Sequence, residues 1–220
     1  MQQKLATFFD CESDAGSAMR ATCLSISYIT CDLNNNFKII EELSGTINSK
    51  FKNSRPFETD AMMAHNIPLK DIINQKLSNG ELVDEWEKAF KKLSEKGTIF
   101  CGYNSFNYDN ILLNNSLFIN LKFPYITSRQ QFDLLPAIRA ASVFAIDPKT
   151  GERALNYDYN EKGNLSFKLQ TMLQANQITT KKAHDSYEDT RATLNLCKRL
   201  REKAPEVFNA ALALRRKSDV

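Results

Sequence analysis

Three runs of strand-forming residues, separated by polar turns, occupy the first 47 residues and constrain what this chain can fold into. The runs cover residues 5–9, 21–31 and 37–47, and the cluster 32–36 between the last two, Asp-Leu-Asn-Asn-Asn, is typical of a turn. Strands joined by such short connections form a meander. A further strand-like run at 98–101 is followed by helical patterns. This order predicts an α/β protein, in which helices pack on a mixed sheet.

Hydrophobic periodicity predicts seven helices. We expect them at residues 58–65, 68–77, 81–93, 108–118, 133–144, 167–173 and 186–203. The segment 147–164 is rich in proline, glycine, asparagine and charge, and is predicted to be a loop or a small hairpin. It is too short to separate two domains. We therefore predict a single domain over residues 1–220, with the chain ending soon after the 186–203 helix.

Composition and charge set limits on the cellular context. The net charge of +3 permits a polyanionic partner but does not require one. Five cysteines without any Cys-x-x-Cys spacing predict reduced, buried thiols, and exclude a disulfide framework or a zinc site. No apolar run approaches the ~18 residues that a membrane span requires, and the N-terminus lacks the apolar centre of a signal peptide. We expect a cytoplasmic protein that does not bind membranes.

Two acids, Asp10 and Glu12, follow the first apolar run and are two residues apart. In a strand this spacing places both side chains on the same face of the sheet. Adjacent carboxylates repel, and a divalent cation compensates their charge. Taken alone, such a pair is more often a strand end whose two acids are solvated.

Two later segments carry further acids. Asp109 follows the strand at 98–101 and opens a helix, where a carboxylate also interacts favourably with the helix dipole. Since that strand is expected beside the first one, Asp109 is predicted to approach Asp10. In the segment 184–189, Asp185 and Glu188 fit a capping box, which leaves Asp189 in the first helical turn facing a metal. His184 precedes this helix on a loop, either as a packing residue or as part of the same site.

The order of these residues resembles the DEDD exonucleases of the histidine subtype, which have a ribonuclease H-like fold. Within that family the likeness is to the catalytic domain of bacterial exonuclease I. Four further stretches carry the resemblance: Gly102-Tyr103-Asn104, Phe132-Asp133-Leu134-Leu135, Ser166-Phe167-Lys168-Leu169 and Ala183-His184-Asp185. The tyrosine subtype has a tyrosine four residues before the last acid. Here Tyr187 is two residues before Asp189 and His184 is five before it, so the histidine form fits.

The resemblance implies a metal-dependent 3′→5′ exonuclease that releases 5′-mononucleotides from single-stranded nucleic acid. Two Mg²⁺ ions, for which Mn²⁺ substitutes, are expected, since the ligands are oxygens. Asp10 would bridge both ions, Glu12 and Asp189 would complete the first, and Asp109 would support the second. His184 would be the general base, because imidazole titrates near the working pH.

The resemblance also implies a set of substrate contacts. These are expected at Ser13, Gly16, His65, Asn104, Phe106 and Tyr108, with the aromatic rings stacking on bases. Where exonuclease I has a threonine and an aromatic residue after the Asp-x-Glu motif, this chain has Ser13-Asp14-Ala15. There, Asp14 is expected to repel phosphate.

Two alternative functions stay open at this point. An RNA exonuclease resembling oligoribonuclease or ribonuclease T would use the same acids and would differ in its contacts to the 2′-hydroxyl. A catalytically silent nucleic-acid-binding module could share the fold, although the full set of four acids and a histidine favours an enzyme. The extended likeness to exonuclease I favours DNA over RNA.

Overall fold

The structure, a computed structural model, describes residues 4–42, 47–48, 58–65, 67–181 and 185–216. Over these ranges the chain forms six strands and eight α-helices. The strands are β1 (Leu5–Ser13), β2 (Cys23–Asp32), β3 (Lys38–Glu42), β4 (Ile47–Asn48), β5 (Ile99–Gly102) and β6 (Gln131–Asp133). The helices are α1 (Thr59–His65), α2 (Leu69–Ile73), α3 (Asn79–Glu95), α4 (Asp109–Ile119), α5 (Leu134–Phe144), α6 (Leu169–Ala175), α7 (Ser186–Lys203) and α8 (Pro205–Ala213).

The strands form one mixed sheet in the order β3-β2-β1-β5-β6, with β4 paired to β2. The first three strands are the predicted antiparallel meander. β1 also pairs with β5 in parallel, and β5 pairs with β6 in parallel. The predicted α/β fold, a mixed sheet with flanking helices, is confirmed. The parallel pairing brings the end of β5, and the helix that follows it, next to β1.

Alternation along β1 divides the hydrophobic core between the two faces of the sheet. Ala6 and Phe8 pack in one core together with residues of α5, α6, α7 and α8. Phe9 and Cys11 pack in the other core, which contains residues of α3 and α4. Because side chains alternate along a strand, the even-numbered acids that follow Phe8 lie on the side of α7. The meander thus orients the acids, and α7 is the helix that covers them.

The strands differ from the prediction at three points. β1 extends through the acids to Ser13, because β2 continues to pair with it beyond Phe9. The single strand expected at 37–47 is instead two strands, β3 and β4, with 43–46 outside the described residues. β6 was not predicted as a strand, since its three residues offer no alternation to detect. Its pairing with β5 is what makes it a strand.

The helices agree more closely with the prediction, with three errors. α2 ends at Ile73, whereas the predicted helix extended to residue 77. α7 has the predicted bounds, and Asp185 caps it by accepting the N–H groups of Tyr187 and Glu188. The predicted capping box is wrong, because the Glu188 carboxylate accepts the backbone N–H of Lys181 instead. The last helix, α8, was not predicted. α8 follows after one residue and begins at Pro205, whose fixed φ suits a first helical turn.

The five cysteines are all free and buried, as the sequence predicts. No helix within the described ranges is long and apolar enough to span a membrane.

Candidate active site

Three carboxylates from β1 and α7 converge near the C-terminal end of β1. Asp10, Glu12 and Asp189 each place an oxygen within 4.8 Å of the others. Asp10 and Glu12 are partly buried, and Asp189, in the first turn of α7, is only 6% exposed. Carboxylate oxygens at this spacing are the ligand type that Mg²⁺ and Mn²⁺ prefer. The group can therefore hold a divalent cation.

Small hydroxyl side chains on β2 allow α7 to approach these acids. Ser27 is the cross-strand neighbour of Asp10 and Ser25 that of Glu12. The Ser25 hydroxyl lies 2.9 Å from that of Ser186, and the Ser27 hydroxyl 3.2 Å from that of Thr190. All four side chains are buried. A larger side chain at either serine would push the first turns of α7, and with them the last acid, away from the sheet.

The fourth acid, Asp109, contacts β1 from the start of α4. It is the first residue of α4 and is 6% exposed. Its Oδ1 atom accepts the backbone N–H of Cys11, the residue between Asp10 and Glu12, at 3.1 Å. Asp109 is thus adjacent to Asp10, as the parallel pairing of β1 with β5 requires, but it is not one of the three converging carboxylates.

The pKa values of two of the acids, Asp10 and Asp109, are raised in the absence of a cation. Burial, and next the charge of Asp109 with those of Glu12 and Asp189, raises the pKa of Asp10 well above its ordinary value. Burial likewise raises the pKa of Asp109 to about 7, although its hydrogen bond from Cys11 acts in the opposite direction. A divalent cation among these oxygens would offset both the cost of burying the carboxylates and the repulsion between them. The residues present therefore fit such an ion.

The end of β1 and the loop that follows it contain two of the predicted substrate contacts, Ser13 and Gly16. The Ser13 hydroxyl lies 2.5 Å from that of Tyr108, which also donates to the carbonyl of Ala15. Tyr108 therefore fixes the backbone of this loop against the start of α4. Gly16 is exposed, and its N–H donates to Glu58 Oε2 at 2.8 Å. That Ser13, Gly16 and Tyr108 touch a nucleotide stays a prediction.

That Asp14 repels phosphate stays a prediction, but the structure places its side chain inside the loop that follows β1. Its side chain is only 3% exposed, and its Oδ1 atom accepts the backbone N–H of Thr22 at 2.6 Å. The Asp14 carbonyl in addition accepts the N–H of Glu58. Asp14 therefore closes the loop between β1 and β2.

A second loop, between β5 and α4, carries Asn104 and Phe106. Asn104 has a left-handed backbone (φ 60°), and its N–H donates to Asp133 Oδ1 at 2.8 Å. The N–H of Phe106 donates to the other carboxylate oxygen at 3.1 Å. Gly102 is needed here, because a Cβ atom would lie 2.5 Å from the Cβ of Ser105. Phe106 is 46% exposed, so its ring has free surface for stacking on a base.

The two histidines differ in what the structure describes. His65, at the end of α1, is 1% exposed, and its Nδ1 atom accepts the N–H of Ile67 at 3.1 Å. This contact supports the backbone after α1, and contact between His65 and a nucleotide stays a prediction. His184 lies outside the described residues, so its role as a base rests on the sequence pattern.

Sequence reasoning missed one polar contact to the acids. The side-chain amide of Gln170, in α6, donates to Asp189 Oδ1 at 3.0 Å. Gln170 directly follows the Ser166-Phe167-Lys168-Leu169 stretch, which was noted only for its resemblance. No local pattern marks it, because the contact depends on how α6 packs against α7.

Similarity to known proteins agrees with this geometry. The chain matches no protein-family model. It is 30% identical to exodeoxyribonuclease I of Buchnera aphidicola over 138 residues, which are 61% of this chain and 32% of the relative. It is 28% identical to exodeoxyribonuclease I of Haemophilus influenzae over 165 residues, which are 73% of this chain and 33% of the relative. The chain spans about a third of the length of these curated relatives.

Solved structures show the same fold. The crystal structure of Escherichia coli exonuclease I in complex with a dT13 oligonucleotide superimposes with a TM-score of 0.84 at 23% identity, over 99% of this chain and 45% of that one. Exonuclease I of Methylocaldum szegediense gives the same TM-score at 23% identity, over 98% of this chain and 44% of that one. These matches confirm the predicted ribonuclease H-like fold. By sequence and by fold, the chain is similar to exonuclease I.

Proposed function

We propose that this chain is a metal-dependent 3′→5′ exonuclease that hydrolyses single-stranded DNA to 5′-mononucleotides. The observation that carries the proposal is the convergence of Asp10, Glu12 and Asp189, with Asp109 adjacent to Asp10. Acids gathered at such an electrostatic cost are a mark of a functional site.

DNA is favoured as the substrate. The curated relatives are named exodeoxyribonuclease I, and the Escherichia coli enzyme has been crystallised with a dT13 oligonucleotide. We further propose that residues 1–220 act as one exonuclease domain in the cytoplasm, where the free thiols of the five cysteines would stay reduced.

Each acid has a proposed role at two Mg²⁺ ions, for which Mn²⁺ substitutes. Asp10, Glu12 and Asp189 would hold the first ion, and Asp109 would help Asp10 to hold the second. When bound, the ions stabilise the charge that develops on the attacking and leaving oxygens of the phosphodiester. His184 accepts the proton of the attacking water at a ring nitrogen.

The two loops beside the acids would hold the 3′ end of the strand. Phe106 offers an exposed ring for stacking, and Asn104 an amide on the same loop. Tyr108 would act with Ser13 and Gly16 by holding the loop after β1 in shape. For His65, its burial at the end of α1 favours support of the neighbouring backbone over direct contact with a base.

The polarity and the strand requirement are tested together. A single-stranded DNA oligonucleotide labelled at its 5′ end is incubated with the protein in Mg²⁺ or in EDTA. We expect a descending ladder of labelled products in Mg²⁺ alone, and protection when the 3′ end is blocked. Internal cleavage, or equal rates on a blunt duplex, would contradict the proposal. An Asp10→Asn preparation controls for contaminating nucleases.

The sugar preference is tested with an RNA oligonucleotide of the same sequence. Faster shortening of the RNA would favour the oligoribonuclease or ribonuclease T type of activity instead, because only the contacts to the 2′-hydroxyl differ. If the protein binds the DNA and the RNA oligonucleotide but cleaves neither, a catalytically silent binding module would be favoured.

A further inference from the structure

The metal-ligating group around Asp189 has a neutral hydrogen-bond donor, Gln170, built against it. The Gln170 Nε2 atom lies 3.0 Å from Asp189 Oδ1. Gln170 is the second residue of α6 and is partly buried. A cationic donor at this position would compete with a divalent cation for the carboxylate. An amide restricts the rotation of the carboxylate without adding charge, which suits a group that must also bind an ion.

The start of α6, which carries Gln170, is itself anchored from the end of the sheet. The Tyr103 hydroxyl, directly after β5, donates to the Phe167 carbonyl at 2.6 Å. The Phe167 ring packs edge-on against Tyr157, with centroids 5.9 Å apart, and the Arg139 guanidinium lies 5.6 Å from its centre. These contacts hold the segment before α6 from three sides. They connect the strand next to β1 with the residue that contacts Asp189.

We propose that Gln170 is a positioning residue that orients the Asp189 carboxylate for metal binding, and that Tyr103 acts through it. This inference rests on the proposed function, since it assumes that Asp189 is a metal ligand. It also explains two stretches that contribute no ligand themselves. Gly102-Tyr103-Asn104 anchors the segment 166–169, and that segment places the glutamine which follows it.

The test compares three variants by calorimetric titration with Mn²⁺ and with Mg²⁺, in the absence of nucleic acid. Gln170→Met keeps most of the side-chain volume and removes the donor, whereas Gln170→Ala removes both. Gln174→Met is the matched control, because Gln174 lies one turn further along α6 and is exposed. We expect metal affinity to fall by ~10–100-fold in both Gln170 variants, the usual effect of losing a hydrogen bond to a ligand, and to stay unchanged in the control.

The role of Tyr103 is tested by a double-mutant cycle. Tyr103→Phe should weaken metal binding in the wild-type background and have little further effect when Gln170→Met is already present. Equal effects in both backgrounds would show that Tyr103 does not act through Gln170. Circular dichroism and the melting temperature in EDTA establish that each variant is folded before titration.

The outcomes separate this inference from the proposed function. If Gln170→Met binds metal as tightly as the wild type while Gln170→Ala does not, the glutamine acts by packing and the inference is overturned. If both bind as the wild type does and the protein cleaves DNA, the inference alone is wrong. A wild-type protein that binds neither ion would overturn the metal centre and this inference together.

Discussion

The backbone N–H of Cys11 donates a hydrogen bond to the carboxylate of Asp109 at 3.1 Å, and so joins the first turn of α4 to the middle of the acidic strand segment. Cys11 itself points into the core on the opposite face from Asp10 and Glu12. The side chain of Cys11 thus belongs to the core, whereas its backbone N–H contacts an acid of the site. The bond holds Asp109 close to Asp10, whose pKa is raised in part by the charge of Asp109.

The first prediction concerns pH and the stability of the metal-free protein. Burial raises the pKa of folded Asp109 to about 7, whereas an unfolded aspartate titrates near ~3.9. Between these values the folded state binds a proton that the unfolded state does not, so the stability falls as the pH rises through this window. The melting temperature in EDTA should therefore decrease from pH 5 to pH 8, and Mg²⁺ should restore it at pH 8.

The matched variant for this prediction is Asp109→Asn. An asparagine keeps an oxygen that can accept the Cys11 N–H but does not titrate, so its melting temperature should depend less on pH. Since each pKa unit corresponds to about 1.36 kcal/mol, the gain at pH 8 in EDTA should not exceed a few kcal/mol. An equal slope in both proteins would mean that another group controls the pH dependence.

The second prediction concerns the converging acids. Asp10→Asn and Asp189→Asn should each reduce turnover by at least ~10³-fold, because metal ions contribute several kcal/mol of charge stabilisation in such reactions. In EDTA both variants should melt at the same temperature as the wild type or higher, since each removes like-charge repulsion. Asp71→Asn, an exposed acid of α2, is the control and should change neither quantity. Single-turnover cleavage and thermal unfolding measure the two effects.

Much of the site could be predicted because it depends on local periodicity. The two-residue spacing of Asp10 and Glu12 determines that they share a face once β1 is a strand. The start of α7 is likewise local, since Asp185 caps the helix and thereby places Asp189 in its first turn. In both cases the relevant interactions lie within a few residues along the chain.

The remaining features depend on packing between distant segments. Nothing in the local sequence distinguishes Ser25 and Ser27 from other strand residues, because their role comes from contact with α7. The role of Gln170 likewise comes from its contact with Asp189. The surroundings of Asp14 are set in the same way, because the return of the chain at Thr22 buries its carboxylate and provides its hydrogen-bond donor.

The third prediction concerns Asp133, which holds the loop that carries Phe106. Its carboxylate accepts the N–H groups of Asn104, Phe106 and Leu135 at 2.8–3.1 Å. Asp133→Ala should lower stability by roughly 1–3 kcal/mol, because three backbone N–H groups lose their acceptor. It should also raise the KM for single-stranded DNA more than it lowers kcat, since the loop is proposed to hold the strand.

A second loop aspartate provides the control for Asp133. Asp147, after α5, also accepts backbone N–H groups, from Lys149 at 2.7 Å and Thr150 at 3.4 Å, but it is exposed. Asp147→Ala should leave KM unchanged. If Asp133→Ala were to lower kcat at a constant KM, the loop would be supporting the acids instead of the strand.

The last prediction concerns His184, and the other histidine of the chain serves as its comparison. As the general base, His184 replaced by alanine should slow single-turnover cleavage by ~10²–10⁴-fold, the usual contribution of a positioned proton acceptor. Mn²⁺ affinity should change little, because the carboxylates remain. The wild-type rate should rise with pH as an imidazole titrates, and this pH-dependent rise should be absent in His184→Ala.

Since buried His65 accepts the N–H of Ile67, His65→Ala should lower the melting temperature and keep the pH-dependent rise in rate per folded molecule. A His184→Ala protein with an unchanged rate and pH profile would exclude the general-base role and leave the metal site intact.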